Sequence, residues 1–406
     1  MEEIETIIVG GGQAGLATSY HLKRIGREHI VFEAAEKAGN AWRNDRWDSF
    51  TLVTPNWSVQ LPGAHYDGND PDGFMPKNEI VAYFERYVEK FNLPVQFKAP
   101  VLEVAPMDRG GYRVKTEAKT YQAKNVIMAT GSFQKPKIPE FNANIPASVL
   151  QLHSGQYRNP SQLPEGAVLI SGAAQSGMQI AEELHQSGRT IYMSTGAAPR
   201  VPRRYRGKDI VAWLVDTGFM DQPVEKLPSP KARLVGNPQA SGKDGGHSLN
   251  LHQFVRDGIK LFGHIAGAQG GKVMFKPDLK ENLAKTDKLE KDIVAMIDRY
   301  IESNGLNAPK ETLPDLQDGY SVEVITELDL KAANINTIIW AMGYTADYSL
   351  VKLPLTDEDG FPIQQRGITQ YPGLYFVGMH WLSKRKSAIL LGVNEDVEHI
   401  VADMTK

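Results

Sequence analysis

Residues 4–33 read IETIIVGGGQAGLATSYHLKRIGREHIVFE, and the fold turns on them. Residues 4–9 are a short apolar run of the buried-strand type. Gly10-Gly11-Gly12-Gln13-Ala14-Gly15 follows at once, residues 15–25 read as a helix, and Gly26 ends it. Residues 28–33 form a second strand. Strand, glycine turn, helix and strand within about 30 residues is the context that lifts a glycine pattern above coincidence. Gly10 permits the tight turn, Gly12 lets the backbone approach a pyrophosphate, and Gly15 lets helix pack on strand. Amides at the helix N-terminus, where the dipole is positive, then bind the phosphates. Gln13, Ala14 and Ala34 complete the candidate lining. Glu33 stands 18 residues beyond Gly15, at the end of the second strand. A carboxylate there accepts hydrogen bonds from ribose hydroxyls and repels a 2′-phosphate, which suits FAD or NAD.

The pattern recurs. Strand Ala167-Val168-Leu169-Ile170 leads to the turn Gly172-Ala173-Ala174-Gln175-Ser176-Gly177, a helix over 178–186 and a strand at 191–193. Ala174 replaces the middle glycine, and its methyl slightly impedes backbone approach. Ser194-Thr195 stands where the acid would be, with Arg200, Arg203, Arg204 and Arg206 just after. Neutral residues plus guanidinium groups suit a 2′-phosphate. Gly172, Gln175, Ser176, Gly177, Ser194, Arg200 and Arg203 are therefore candidates for binding NADPH, with NADH as the alternative. Two such units imply electron transfer between two cofactors.

The chain has 406 residues, enough for two to three domains. Hydrophobic residues make up 41% and charged residues 23%, as in an ordinary soluble protein. The net charge of −3 gives no reason to expect a nucleic-acid partner. The cysteine count is zero, which excludes disulfides, thiolate metal sites and a cysteine nucleophile. No metal spacing stands out among the ten histidines. The acidic N-terminus lacks a signal peptide's basic and apolar regions, and no apolar run approaches a membrane span, so a cytoplasmic protein without membrane contact is expected. Residues 77–92 read as a helix, 95–105, 111–116 and 124–129 as strands, and 222–250 as a long loop or insertion. A helix over 287–303 is expected to start at the N-cap Thr286 and close at Asn304-Gly305. Strands at 337–341 and 374–378 precede a helix near 388–403.

Several further motifs carry a resemblance. Gly39-Asn40-Ala41-Trp42, Ala129-Thr130-Gly131 with Pro136 and Pro139, Gly172…Ser176-Gly177, Ala341-Met342-Gly343-Tyr344 and the late strand ending at Gly378 are similar to motifs of the flavin-containing monooxygenase family. The resemblance covers most of the chain and is weakest over 222–330. It implies an α/β protein of two Rossmann-like dinucleotide-binding domains, with the NADPH domain inserted into the FAD domain. Residues 1–150 would open the FAD domain, 151–335 would form the NAD(P)H domain and 336–406 would complete the FAD domain. It also brings Asn40, Trp42, Ala129, Thr130, Gly131, Gly343 and Gly378 to the cofactors. The family often carries an asparagine that touches the flavin and the nicotinamide, and Asn56 matches that position to within one residue. The family fingerprint is half present. His153 and Tyr157 hold its spacing, while Ala147 and Val149 stand where Phe and Gly belong, so His153 is either functional or part of a structural turn. Tyr157 in place of Trp leans away from the Baeyer–Villiger subgroup. The usual acid after the late glycine is replaced by Met379-His380-Trp381, and a helix starting at Ser387-Ala388 would face the flavin's pyrimidine end.

The activity this implies is NAD(P)H-driven oxygenation of a nitrogen or sulfur atom of a small molecule by dioxygen, through a flavin C4a-hydroperoxide. The aromatic stretch of Trp42, Trp47, Phe50 and Trp57 would keep the site dry. The resemblance also allows a homodimer. A flavin oxidase or reductase with peroxide or another acceptor as outlet is the alternative, and a non-catalytic flavoprotein a remote one.

Overall fold

The computed structural model describes residues 1–234 and 236–406. Two mainly parallel sheets organise them. In the first, Glu2–Val9 lies between Thr120–Met128 and His29–Phe32, all parallel. Val95–Gln96 extends one side and Leu374–Phe376 the other. Val101–Pro106 and Tyr112–Thr116 form an antiparallel meander off Thr120–Met128. Lys98, with φ +53, breaks the strand expected over 95–105 into a parallel piece and a meander piece.

The unbroken apolar runs are explained by burial on both faces. Ile8, Val31 and Ile127 point into one core, while Ile7, Phe32, Val126 and Met128 point into another. The second sheet has the order Leu150–His153, Ile335–Trp340, Ala167–Ser171, Ile191–Ser194 and Lys260–Phe262, again all parallel. Val168, Ile170 and Ile339 pack into the same core as Ile8, and Leu169, Ile338 and Trp340 face a third cluster. One hydrophobic core thus runs through both sheets.

The second unit repeats the first. Strand, glycine turn, helix and strand lead to a further parallel strand, then antiparallel pairs (265–269 with 272–275, and 272–275 with 327–329). The return strand Ile335–Trp340 then pairs beside Ala167–Ser171, as Thr120–Met128 pairs beside Glu2–Val9. That return strand corrects one expectation: residues 336–340 belong to the second sheet, and the chain leaves it only at Ala341.

Two helix starts are also corrected. The helix closing at Asn304 runs from Leu279 to Ser303, and Thr286 lies inside it. The Thr286 hydroxyl donates back to the Asn282 carbonyl, a bond that a helix interior accommodates, so it is not a cap. Leu279 and Leu283 carry the apolar spacing back by two turns. The last helix is Val393–Met404, and residues 381–392 form turns instead.

The long helix carries Asp287 into a buried cluster. Arg200 pairs with Asp287 at 2.8 Å and with Glu290 at 2.7 Å. The Tyr320 hydroxyl donates to Asp287 at 2.6 Å. His252 accepts from the Gly319 amide at 2.9 Å through Nδ1, so its Nε2 carries the proton and faces Asp287 at 3.2 Å. Burial by itself would raise the Asp287 pKa; the His252 and Tyr320 bonds and the Arg200 charge outweigh it and bring it to about 2, from 3.8. A folded pKa below the unfolded one means stability that is present above 3.8 and lost as pH falls toward 2. Asp287→Asn is expected to cost about 2 kcal/mol at pH 7 and distinctly less at pH 3, read from urea unfolding of both proteins at the two pH values.

Candidate active site

The first strand ends at Gly10, whose φ of +110 excludes other residues. A Cβ placed on Gly10 would lie 2.6 Å from the Ala129 carbonyl oxygen, and one on Gly15 would lie 1.9 Å from the Gly10 oxygen. The helix Gln13–Arg24 is therefore pressed directly onto the turn. Gly12 is different: it is exposed, and a Cβ there meets nothing within 4 Å among the described residues. The helix N-terminus has no side-chain cap and no acid in its first turn. Its amides thus face an open side shaped for a phosphate-bearing group. Glu33 frames that side. Its Oε2 accepts from the Gly11 amide at 2.7 Å and its Oε1 from the Ala35 amide at 2.8 Å. Each oxygen keeps a lone pair for a ribose hydroxyl. Ala34 is exposed beside it.

The second turn copies this backbone. Gly172 has φ +113, and its Cβ would stand 2.4 Å from the Ala341 oxygen. A Cβ on Gly177 would stand 1.8 Å from the Gly172 oxygen. Ala174 has φ −84 and ψ −174, against −78 and −175 at Gly12, so its methyl occupies the open side. Ser176 is partly exposed in the first turn of that helix.

Several expected roles change. The Gln13 side chain donates to the Ala388 carbonyl at 2.5 Å, and that of Gln175 to the Ala240 carbonyl at 2.8 Å. Both amides tie a crossing segment over their turn, so only their backbone N–H groups face it. The Gly10 amide bonds Phe32 and the Gly172 amide bonds Ser194, which makes Thr195, not Ser194, the counterpart of Glu33. Ser194 donates to Gly263 and accepts from the Ile265 amide, while Thr195 donates to Phe262, so both hydroxyls are consumed inside the protein. Arg200 is held by Asp287 and Glu290. Arg203 is 2% exposed, pairs with Asp209 at 2.6 Å, bonds the Val53 carbonyl and stacks on Phe74. Neither guanidinium is free for a 2′-phosphate. Arg206 pairs with Asp298, which leaves the exposed Arg204 as the cation of that run without a carboxylate among the described residues.

The two linkers run side by side, with Tyr344 opposite Pro136 and Thr345 opposite Lys135. Gly131, Gly343 and Gly378 all have positive φ, of +68, +79 and +73. The Gln134 amide fixes Thr130 and the Gly131 carbonyl. His153 donates from Nε2 to the Gly343 carbonyl at 2.9 Å and accepts from the Gly155 amide at Nδ1. Burial pushes its pKa down, and both nitrogens are engaged, so His153 anchors the second linker. Gly378 packs on the Ala14 methyl, where a Cβ would come within 2.4 Å.

Around these lie the aromatic residues. Trp47 and Phe50 are buried, and Trp42 packs against Phe50 at 5.9 Å. Asn40, in the short helix 40–44, accepts from Asn44. Asn56 is 6% exposed; its Nδ2 donates to the Asp70 carbonyl at 2.9 Å, while its Oδ1 is enclosed without a partner among the described residues. An orphaned buried acceptor of this kind calls for a ligand donor or a water. Arg46 and Phe133 escaped the sequence reading, and His380 entered it only as standing where an acid is usual. Arg46 stacks on Trp42 and Phe50, Phe133 meets both Tyr344 and His380, and burial lowers the pKa of His380, which has no hydrogen-bond partner among the described residues. No local signal marked them. The helix expected to aim at this region from Ser387 is absent, and the helix starting at Val393 carries Glu395, already paired with Lys384 and Lys386.

Paired glycine turns, each with its own sheet and joined by adjacent linkers, define an oxidoreductase built to hold two dinucleotides. The chain belongs to the pyridine nucleotide-disulphide oxidoreductase family, whose model matches residues 7–216. It is 32% identical to an uncharacterized CzcO-like oxidoreductase of Geobacillus kaustophilus, over 99% of this chain and 98% of that one. A probable indole-3-pyruvate monooxygenase of Arabidopsis thaliana is 29% identical over 50% of this chain and 48% of its own length. A flavin-containing monooxygenase from Stenotrophomonas maltophilia has the same fold, with a TM-score of 0.67 at 20% identity over 100% of this chain and 99% of that one. The resemblance read from the motifs is borne out, and the chain is an enzyme. No helix among the described residues is long and apolar enough to cross a membrane.

The two turns give a paired test. Gly177→Ala drives a methyl into the Gly172 carbonyl and is expected to cost about 3 kcal/mol. Gly12→Ala meets open space and is expected to stay within about 1 kcal/mol of the parent. Thermal or urea unfolding of the three proteins checks both.

Proposed function

We propose that the chain is an FAD- and NADPH-dependent monooxygenase that oxygenates a nitrogen or sulfur atom of a small molecule. The observation that supports this best is the pair of backbone-matched glycine turns, joined by adjacent linkers, in a chain with zero cysteines. A dithiol outlet for the electrons is absent, which favours dioxygen. FAD bound along the first turn and NADPH along the second supply the hydride transfer and the reaction with dioxygen.

The protein's own part is binding, orientation and exclusion of water. The bare open side at Gly12 and the uncapped amides bind the first pyrophosphate, and Glu33 takes the ribose hydroxyls. Ala174 permits a looser approach at the second turn, which suits a cofactor that comes and goes. Thr195 brings no negative charge there, so a 2′-phosphate is not repelled. With Arg200 and Arg203 withdrawn, the preference for NADPH over NADH rests on that neutrality. Asn56 offers its enclosed Oδ1 as an acceptor, and Trp42, Trp47 and Phe50 pack into one apolar cluster. His380, whose pKa burial lowers, offers ring nitrogens that have no hydrogen-bond partner among the described residues.

Anaerobic NADPH should bleach the flavin of the purified protein, and oxygen with a small amine or sulfide panel should then yield an N- or S-oxide. Failure of NADPH and NADH alike to bleach it overturns the reading. Peroxide equal to the NADPH consumed, whatever amine or sulfide is offered, identifies an oxidase instead. Gly12→Ala, folded as stably as its parent, should hold at least tenfold less flavin, seen as the ratio of visible to 280 nm absorbance.

A further inference from the structure

The segment 378–388 leaves the first glycine turn at Gly378, which packs on Ala14, and returns to it at Ala388, which accepts from Gln13. Three cations stand on this loop: Lys384, Arg385 and Lys386. The two lysines are neutralised, each pairing with both Asp221 and Glu395. Arg385 has no carboxylate partner among the described residues. Its guanidinium stacks on Phe219 at 4.1 Å and on Trp381 at 4.5 Å. Its Nη2 donates to the Gln222 Oε1 at 3.0 Å, and its Nε is enclosed without a partner among the described residues. Nη1 makes no hydrogen bond among the described residues, and the side chain remains partly exposed. Burial, with nothing opposing it, brings the pKa down to about 10. Trp381 holds φ +54, a left-handed backbone that a bulky aromatic adopts only under constraint. Trp57, next to Asn56, packs on the same hydrophobic cluster as Phe219 and Ile389.

A clamp between residues 219–224 and this loop needs no charge, because backbone bonds already make it: Val224 to Ser383, Arg385 to Gln222 and Lys386 to Met220. A guanidinium lying over two aromatic rings, with one donor unengaged and no carboxylate partner among the described residues, matches a planar anion. We infer that Arg385 anchors the carboxylate of an apolar or aromatic acid that carries the nitrogen or sulfur to be oxygenated, which is the substrate class of this enzyme. The inference rests on the monooxygenase reading, since it places that acid beside the first glycine turn.

The test uses the purified, flavin-loaded protein with phenylacetate and its neutral isostere phenylacetamide, titrated by calorimetry and by tryptophan fluorescence. The parent should bind phenylacetate at least tenfold more tightly than the amide. Arg385→Gln should bring the two within about twofold, and Arg385→Lys should keep part of the difference. Equal binding of the two probes by the parent overturns the proposal, as does an undiminished preference in Arg385→Gln. Loss of flavin from both variants also overturns it, by assigning Arg385 to the cofactor. Should Arg385→Gln fail to fold, the comparison in the parent and in Arg385→Lys still decides. Anaerobic bleaching by NADPH, run on the same parent sample, separates the two claims: bleaching with no acid preference sinks the substrate class alone, and no bleaching sinks the monooxygenase reading.

Discussion

A contact too close for any side chain sets the geometry of this enzyme. In each unit the helix lies with its third residue, Gly15 or Gly177, directly on the carbonyl of the glycine that ends the strand. That glycine in turn lies against the carbonyl at the end of the return strand, Ala129 or Ala341. Strand end, helix start and linker start are thereby locked together in backbone alone. The uncapped amides of the helix have one direction left to face, and the linkers begin where those amides point. Everything proposed about cofactors depends on this arrangement.

Within one backbone plan the units differ by single groups. The first leaves Gly12 bare and sets Glu33 beside it. The second carries the Ala174 methyl and a buried threonine. Each turn is also crossed by a distant segment held by a glutamine amide, Ala388 over the first and Ala240 over the second. Near-identical scaffolds thus offer a tight, acid-framed site and a looser, neutral one, which is the difference expected between a resident cofactor and an exchanging one.

The parts legible in the sequence were local. The glycine turns, both βαβ units and the close of the long helix at Asn304-Gly305 follow from backbone requirements of a few adjacent residues. The arginine run misled because charge in a sequence says nothing of its partners. Arg200 finds Glu290 ninety residues away, and Arg203 finds Asp209 only because the chain doubles back through a short hairpin at 204–209. Ser194 was misread by one position, since alternation along the strand turns its side chain inward. His153 was undecided for a related reason: its two acceptor and donor partners, at 155 and 343, come from both ends of the inserted unit.

The sequence by itself determined the two nucleotide-type turns, the acid in the first and its absence in the second, and the exclusion of thiol chemistry. These are properties of residue identity and short spacing. Tertiary structure decided which charges are spent and which remain. Arg200 and Arg203 are consumed in buried pairs, while among the described residues Arg385 is left without one between two lysines that have theirs. The physical reason is that a charge's availability depends on what folds against it, and here those partners come from segments far along the chain.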